Sequence, residues 1–357
     1  MSVRAAPRSK NLAQVNRAAY IAEAHAVGVG VDVEEFLKKI DRHLEPYLRR
    51  TMTMVPDITP IKEGVTYQVS TGGKRIRAAL CVTSCELFCG TFLRALHFAA
   101  AVEHLQNFTL IHDDIADGDE ERRGQRSIWR RYGVAHAINI GDVFASLSAI
   151  AVLDSVYSAE VKLRLVRLIA EFGLQIAEGQ GLDINLRQND APLLQEYLEC
   201  TRRKTGAFLA LATVGGAIVG GASDEHLERL RQFALLAGTA FQIKDDLLDL
   251  TGGKGRMIGS DILEGKRTLF VVYIAQHGSR PEKKRLLSIL NKPRVANTAG
   301  DIQWVCDLYE RSGAVEYAER TAHELIEAAS QHALVLPDSD AKYRLLRISK
   351  YLSQRIR

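Results

Sequence analysis

The stretch LIHDDIADGDEERRG, residues 110–124, is where the reading of this chain begins. Eight of its fifteen side chains are acidic or basic, and they follow NFTL (107–110), which reads as buried helix. Asp113, Asp114 and Asp117 come first, and Arg122 and Arg123 close the run. On a helix, Asp113 and Asp117 stand at i and i+4, so their carboxylates share one face. Two carboxylates side by side repel. Either they sit at a solvated helix end, or they surround a hard cation that in turn holds something negative.

A second copy decides between these. KDDLLDL at 244–250 repeats the Asp-Asp-x-x-Asp pattern about 130 residues later, again at the end of an apolar helix. That separation is too long for a tandem repeat and fits two helices meeting across a bundle core, where metal sites are built from facing side chains. Mg²⁺ takes oxygen ligands and is usually held by one or two carboxylates plus phosphates. Asp113, Asp114, Asp117, Asp245, Asp246 and Asp249 are therefore the candidate metal residues, and a diphosphate is the expected missing ligand.

Outward from these motifs the pattern stays helical. LRALHFAAAVEHLQNFTLIHD and LERLRQFALLAGTAFQIKDDLLDL repeat apolar residues at helical spacing, and the chain has only eight prolines. There is no Asn-Gly hairpin signal and no alternating β-branched run. STGGK, GGAS, TGGKGR and LPDSD punctuate the helices with short loops. The expectation is an all-α, single-domain helical bundle over residues 35–357, preceded by a loosely ordered segment, 1–34.

The bulk numbers exclude more than they select. With 47 Lys and Arg against 43 Asp and Glu, the net charge of +4 does not point to nucleic acid. No apolar run near the roughly eighteen residues of a spanning helix is legible, so no transmembrane segment is expected. Five cysteines show no CxxC pair, and Cys81, Cys85 and Cys89 lie on one helix face. They read as small core residues in a reducing compartment, which makes the cytoplasm the default.

The basic residues then fall into place around the aspartates. Lys204 stands beside Thr205 in TRRKTGAFLA, Lys266 lies in SDILEGKRTL, and GGKRIR (72–77) offers Lys74, Arg75 and Arg77 after a glycine pair. Arginine forks suit phosphate oxygens, whereas lysine acts as a point charge.

Five ordered segments carry a resemblance: GGKRIR, LIHDDIADGDEERRG, EGQGLDI with RRKTGAFLA, FQIKDDLLDL and GSDILEGKRTL. With them the chain resembles the trans-isoprenyl diphosphate synthases, the polyprenyl synthetase family, across residues 35–357. The resemblance implies a bundle around a deep central cavity, a homodimer, and a cluster of roughly three Mg²⁺ ions per site. Asp113, Asp117 and Asp245 are then expected as direct ligands, and Asp114, Asp246 and Asp249 as ligands or their supports. Arg122, Lys204 and Lys266 would bind the allylic diphosphate, and Lys74, Arg77, Arg123 and Gln106 isopentenyl diphosphate. Thr205 and Gln242 would turn oxygen dipoles on the allylic cation, with Lys204 beside them. Arg256 replaces the family's usual lysine at one phosphate contact, and Ala78 stands where a proline is common.

The implied reaction condenses isopentenyl diphosphate with a dimethylallyl, geranyl or farnesyl primer. Helical rise places Phe108 about 7.5 Å below Asp113, with Thr109 one turn down on the same face. In the family this chain resembles, an aromatic at the deeper position with a small neighbour goes with a floor at C20, so the resemblance implies mainly geranylgeranyl diphosphate; farnesyl or longer products are the alternative. A class I terpene cyclase would need no second diphosphate pocket, and a non-catalytic subunit would tend to lose aspartates that this chain keeps.

Overall fold

The computed structural model describes residues 29–252 and 258–354. Sixteen α-helices follow one another among them. The first eight are α1 Val29–Met52, α2 Ile61–Ser70, α3 Ile76–Cys89, α4 Leu96–Asp117, α5 Ile128–Tyr132, α6 Val134–Leu153, α7 Ala159–Leu186 and α8 Leu194–Thr201. The remainder are α9 Ala207–Gly220, α10 Asp224–Asp249, α11 Ser260–Leu263, α12 Leu269–His277, α13 Arg280–Leu290, α14 Ala299–Arg311, α15 Ala314–Leu334 and α16 Asp340–Gln354. Of the segment 1–34 expected to be loose, residues 29–34 already lie in α1, and 1–28 lie outside the described residues.

Capping follows the sequence signals. Ser158 and Ser223 accept hydrogen bonds from the Val161 and His226 amides at 3.3 and 3.4 Å, starting α7 and α10. Gly118, at φ +68°, stops α4 one residue after Asp117, and the Asp119 amide donates back to the Asp114 carbonyl at 2.9 Å. The first motif is thereby fixed at a helix C-terminus.

Helix α9 forms the centre of the main core, with residues 207–219 all buried. It packs on α3 and α10, while α10 also lies along α15. A second core joins α4 to α6 through Ile111, Ile140, Phe144 and Leu147. The two motif-bearing helices, α4 and α10, thus belong to neighbouring layers and present their C-terminal ends to a common space.

Two features stand out against the sequence signals. Helix α6 is 20 residues long with a mean hydropathy of 1.5, so by length and composition it could cross a membrane. In the fold one of its faces packs on α4, while Val134, Ile138 and Leu153 remain exposed. The chain also forms a two-stranded antiparallel hairpin, β1 Glu121–Arg122 and β2 Gln125–Arg126. Its two-residue turn puts both Arg123 and Gly124 at positive φ, +58° and +73°, which is the turn that matches strand twist. Arginine occupies a position that Asn or Gly usually takes, which is why no hairpin signal was legible. Cys81 and Cys85 are buried and Cys89 half-buried, all as free thiols.

Candidate active site

The first motif hangs from the last turn of α4. Asp114 is buried and clasped by Arg122, through Nε at 2.8 Å and through Nη2. Burial nevertheless pushes its carboxyl up to about 6, against the pull of Arg122. Asp117 accepts from Arg187 Nη2 at 2.7 Å and lies 3.9 Å from Lys266 Nζ. Burial raises the Asp113 carboxyl above its ordinary range; Lys204 pulls it back and Asp117 adds to the rise.

The second motif ends α10. Asp246 is buried and both its oxygens are engaged, one by Tyr197 at 2.8 Å and the other by Gln242 at 2.9 Å. Asp249 is buried too and accepts from the Asp261 amide at 3.1 Å, with its carboxyl raised to about 8 by burial and by Asp261. Asp245 is only half-buried, on the side of the motif that faces Arg77 electrostatically.

Lys204 and Thr205 ride on a π-type turn, Arg202–Gly206, wedged between two glycines of neighbouring helices. A Cβ on Gly179 of α7 would stand 2.5 Å from the Lys204 amide nitrogen, and one on Gly238 of α10 would stand 2.6 Å from Gly206 Cα. Only glycine allows this approach. It delivers Lys204 Nζ to Asp183 at 3.1 Å and the Thr205 hydroxyl to Gln242 Oε1 at 2.7 Å. Burial would lower the Lys204 pKa, but Asp113, Asp183 and Asp117 outweigh it and the ammonium is held firmly charged. Lys266 is anchored by Asp261 at 2.9 Å and Glu264 at 2.8 Å.

The adjacent arginines part company at the hairpin turn. Arg122, on β1, reaches back to Asp114 and Asp119. Arg123, in the turn, reaches the opposite way, donating to the Thr71 hydroxyl at 3.2 Å. Its guanidinium lies flat against Gly73, where a Cβ would be 3.1 Å from Nη2. A pair at i, i+1 thus serves two neighbourhoods.

The second neighbourhood is built on GGKRIR. Arg77 lies over the Phe208 ring at 4.6 Å, and its Nε is buried without a protein partner. Burial lowers its pKa to about 10, against the pull of Glu103, Asp245 and Asp113, so one guanidinium senses both aspartate motifs. Gln106 Oε1, seven residues before Asp113, is likewise buried and unpartnered. Lys74 is exposed beside them. Two buried polar groups without protein partners in one neighbourhood leave bonds that a polar ligand can complete.

The structure gathers the predicted residues into two adjoining sets, and Arg256 lies outside the described residues. Phe108 is half-buried, packs against both cores and meets the His112 ring at 4.5 Å and a tilt of 56°; Thr109 donates to the Gln106 carbonyl at 3.0 Å. Asp183, Arg187, Tyr197, Asp261 and Arg294 were not anticipated. Arg294 donates to the Asp117 carbonyl at 2.8 Å from the far end of the sequence. The i, i+4 pair Asp183 and Arg187 in GLDINLR was a signal that could have been read.

Among the described residues no three Asp, Glu, His or Cys side chains close into a ready cage. The donors are hard carboxylate oxygens on two facing helix ends, flanked by cations. That set fits Mg²⁺ bound by few protein ligands and completed by phosphate.

Comparison with known proteins gives the same picture. The polyprenyl synthetase family model matches residues 59–308. The chain is 35% identical to a short chain isoprenyl diphosphate synthase of Methanothermobacter thermautotrophicus, over 91% of this chain and 99% of that protein. It is also 35% identical to a geranylgeranyl pyrophosphate synthase of Geoglobus acetivorans, over 81% and 89% of the two chains. The crystal structure of geranylgeranyl pyrophosphate synthetase from Pyrococcus horikoshii superposes with a TM-score of 0.82 at 32% identity, covering 90% of this chain and 99% of that one. With its paired aspartate helix ends and its all-α fold, the chain belongs to the polyprenyl synthetase family, whose members are Mg²⁺-dependent prenyltransferases.

Proposed function

We propose that this chain joins isopentenyl diphosphate head to tail to an allylic diphosphate and makes mainly geranylgeranyl diphosphate. The observation that carries the two-substrate reading is the divergence of Arg122 and Arg123, one guanidinium entering the aspartate set and the other the GGKRIR set. A cyclase, acting on one diphosphate, has no use for the second set.

In this reading Lys204, Lys266 and Arg122 hold the allylic diphosphate and stabilise the charge it gains as the allylic C–O bond breaks. A cluster of roughly three Mg²⁺ ions, held by Asp113, Asp117 and Asp245 with Asp114, Asp246 and Asp249 in support, supplies Lewis-acid stabilisation of that leaving group. Lys74, Arg77, Arg123 and Gln106 hold isopentenyl diphosphate, so that its π-bond forms the new C–C bond at the allylic carbon. The Thr205 proton is committed to Gln242, so the hydroxyl oxygen offers only lone pairs elsewhere, the polarity a carbocation needs. Gln242 spends its own oxygen on Thr205 and acts through it. No side chain stands out as base, and the departing diphosphate takes the final proton.

Phe108 and Thr109 form the floor that sets product length. Residues 35–357 constitute the synthase domain of a cytoplasmic homodimer; the exposed Val134, Ile138 and Leu153 on α6 support a subunit interface there. The test is chromatography of the product from labelled isopentenyl diphosphate with each primer in turn. A C20 product from every accepted primer is expected, and a main product of C15 or beyond C20 overturns the length assignment.

A further inference from the structure

We infer that Arg75 is a positioning residue for the isopentenyl diphosphate pocket, clamping α1 and α4 together beneath the turn from which Lys74 and Arg77 project. The inference rests on the pocket assignment just proposed. Although Arg75 sits between two candidate phosphate ligands in GGKRIR, its own guanidinium is spent on protein. Nε donates to Asp41 of α1 at 2.7 Å, and Nη1 donates to Glu103 of α4 at 2.8 Å. The Arg75 side chain is 8% exposed and that of Glu103 7%, so this is a buried pair rather than a surface contact.

The backbone gives the second reason. Arg75 stands at the N-terminal boundary of α3 with φ +53°, a left-handed conformation unfavourable for any residue with a Cβ. Such a conformation persists only where the surroundings over-determine it, and the two-armed ion pair does so here. The left-handed residue reverses the chain between the exposed Lys74 and the inward-facing Arg77, so the angle between these two side chains depends on it. Glu103 adds a further link, since its charge also acts on Arg77 and Arg123. It lies one turn before Gln106 on α4, so the carboxylate that anchors Arg75 shares a helix face with the buried, unpartnered amide of the same pocket. One carboxylate therefore anchors Arg75 and acts electrostatically on both Arg77 and Arg123.

Three variants are measured with both substrates. Arg75→Lys keeps the charge but cannot span two carboxylates. It is expected to raise the KM for isopentenyl diphosphate about tenfold while leaving the primer KM within about twofold. Asp41→Asn, at an exposed position, is expected to leave the chain folded and to raise the same KM severalfold in the same direction. Arg77→Ala reports on the pocket assignment itself. If Arg77→Ala raises the isopentenyl diphosphate KM selectively but Arg75→Lys and Asp41→Asn do not, the positioning role is wrong and the pocket stands. If Arg77→Ala affects both substrates equally, the pocket assignment fails. A loss of melting temperature with both KM values shifted alike would make Arg75 a stabilising residue only, and would overturn the inference.

Discussion

Tyr197 of α8 donates to Asp246 of α10 at 2.8 Å, and with Gln242 on its other oxygen that carboxylate is turned wholly toward protein. Burial holds its pKa well above the carboxylate range, with Asp261 adding to the rise. The six aspartates are therefore unequal. Asp113→Ala and Asp245→Ala are each expected to lower turnover by orders of magnitude, because both sets of ligands must neutralise one leaving group. Asp246→Asn alters a side chain that faces protein and is expected to cost about tenfold or less. Steady-state rates at saturating Mg²⁺, with melting curves for each variant, check this. Near-normal turnover in Asp113→Ala or Asp245→Ala would sink the two-motif site.

Gly179 and Gly181 make a sharper test, since both lie on α7 two residues apart. A Cβ at Gly181 meets nothing within 4 Å, whereas one at Gly179 meets the Lys204 backbone at 2.5 Å. Gly181→Ala should raise stability by roughly 0.5–1 kcal/mol through helix propensity. Gly179→Ala should lower it by about 1–3 kcal/mol through overpacking, and should depress turnover by displacing Lys204 and Thr205. Opposite shifts in melting temperature are the expected result; equal shifts would mean the turn is free to move.

His104 predicts an acid sensitivity. It is fully buried, and its Nε2 lies 2.6 Å from the Thr51 hydroxyl, which also reaches the Leu48 carbonyl at 2.9 Å. Nδ1 is buried without a protein partner, so nothing in the fold is placed to accept the second proton of a charged ring. Burial, with Arg75 adding to it, lowers its pKa to about 3. Below the unfolded value near 6.5 the unfolded chain binds the proton that the folded chain refuses, so stability falls as pH falls. From pH 7 to pH 4 this group should remove roughly 3 kcal/mol. Melting temperatures should fall less steeply over that range in His104→Phe than in the parent; parallel curves would refute the assignment.

Phe108→Ala should lengthen the product. The ring is half-buried, so the stability cost should fall below the roughly 3–5 kcal/mol of a fully buried phenylalanine. A stable variant with unchanged product length would place the floor elsewhere.

Much of this was legible in sequence because the signals are local. Asp113 and Asp117 share a face by helix geometry alone, and Gly118 after Asp117 marks the helix end. Pairings across the fold were not legible. Nothing near Tyr197 announces that its hydroxyl meets Asp246, and Arg294 reaches Asp117 across 177 residues. The split of Arg122 from Arg123 depends on a turn whose left-handed residue is an arginine, against the usual preference. Arg75 reads as one more phosphate ligand until Asp41 and Glu103 are found on its guanidinium.

The pairing of Asp117 with Arg187, and of Lys204 with Asp183, bears on how a cell would see this enzyme at low magnesium. Without ligand, acids and bases in the site already neutralise one another. A diphosphate arriving alone would draw Lys204 and Lys266 toward itself and strand carboxylates; a cation arriving alone would strand guanidinium and ammonium groups. Arriving together, they would exchange partners with the protein and leave less charge uncompensated. Metal and diphosphate should therefore raise each other's affinity reciprocally, which ties the occupancy of the site to the magnesium-bound fraction of its substrate.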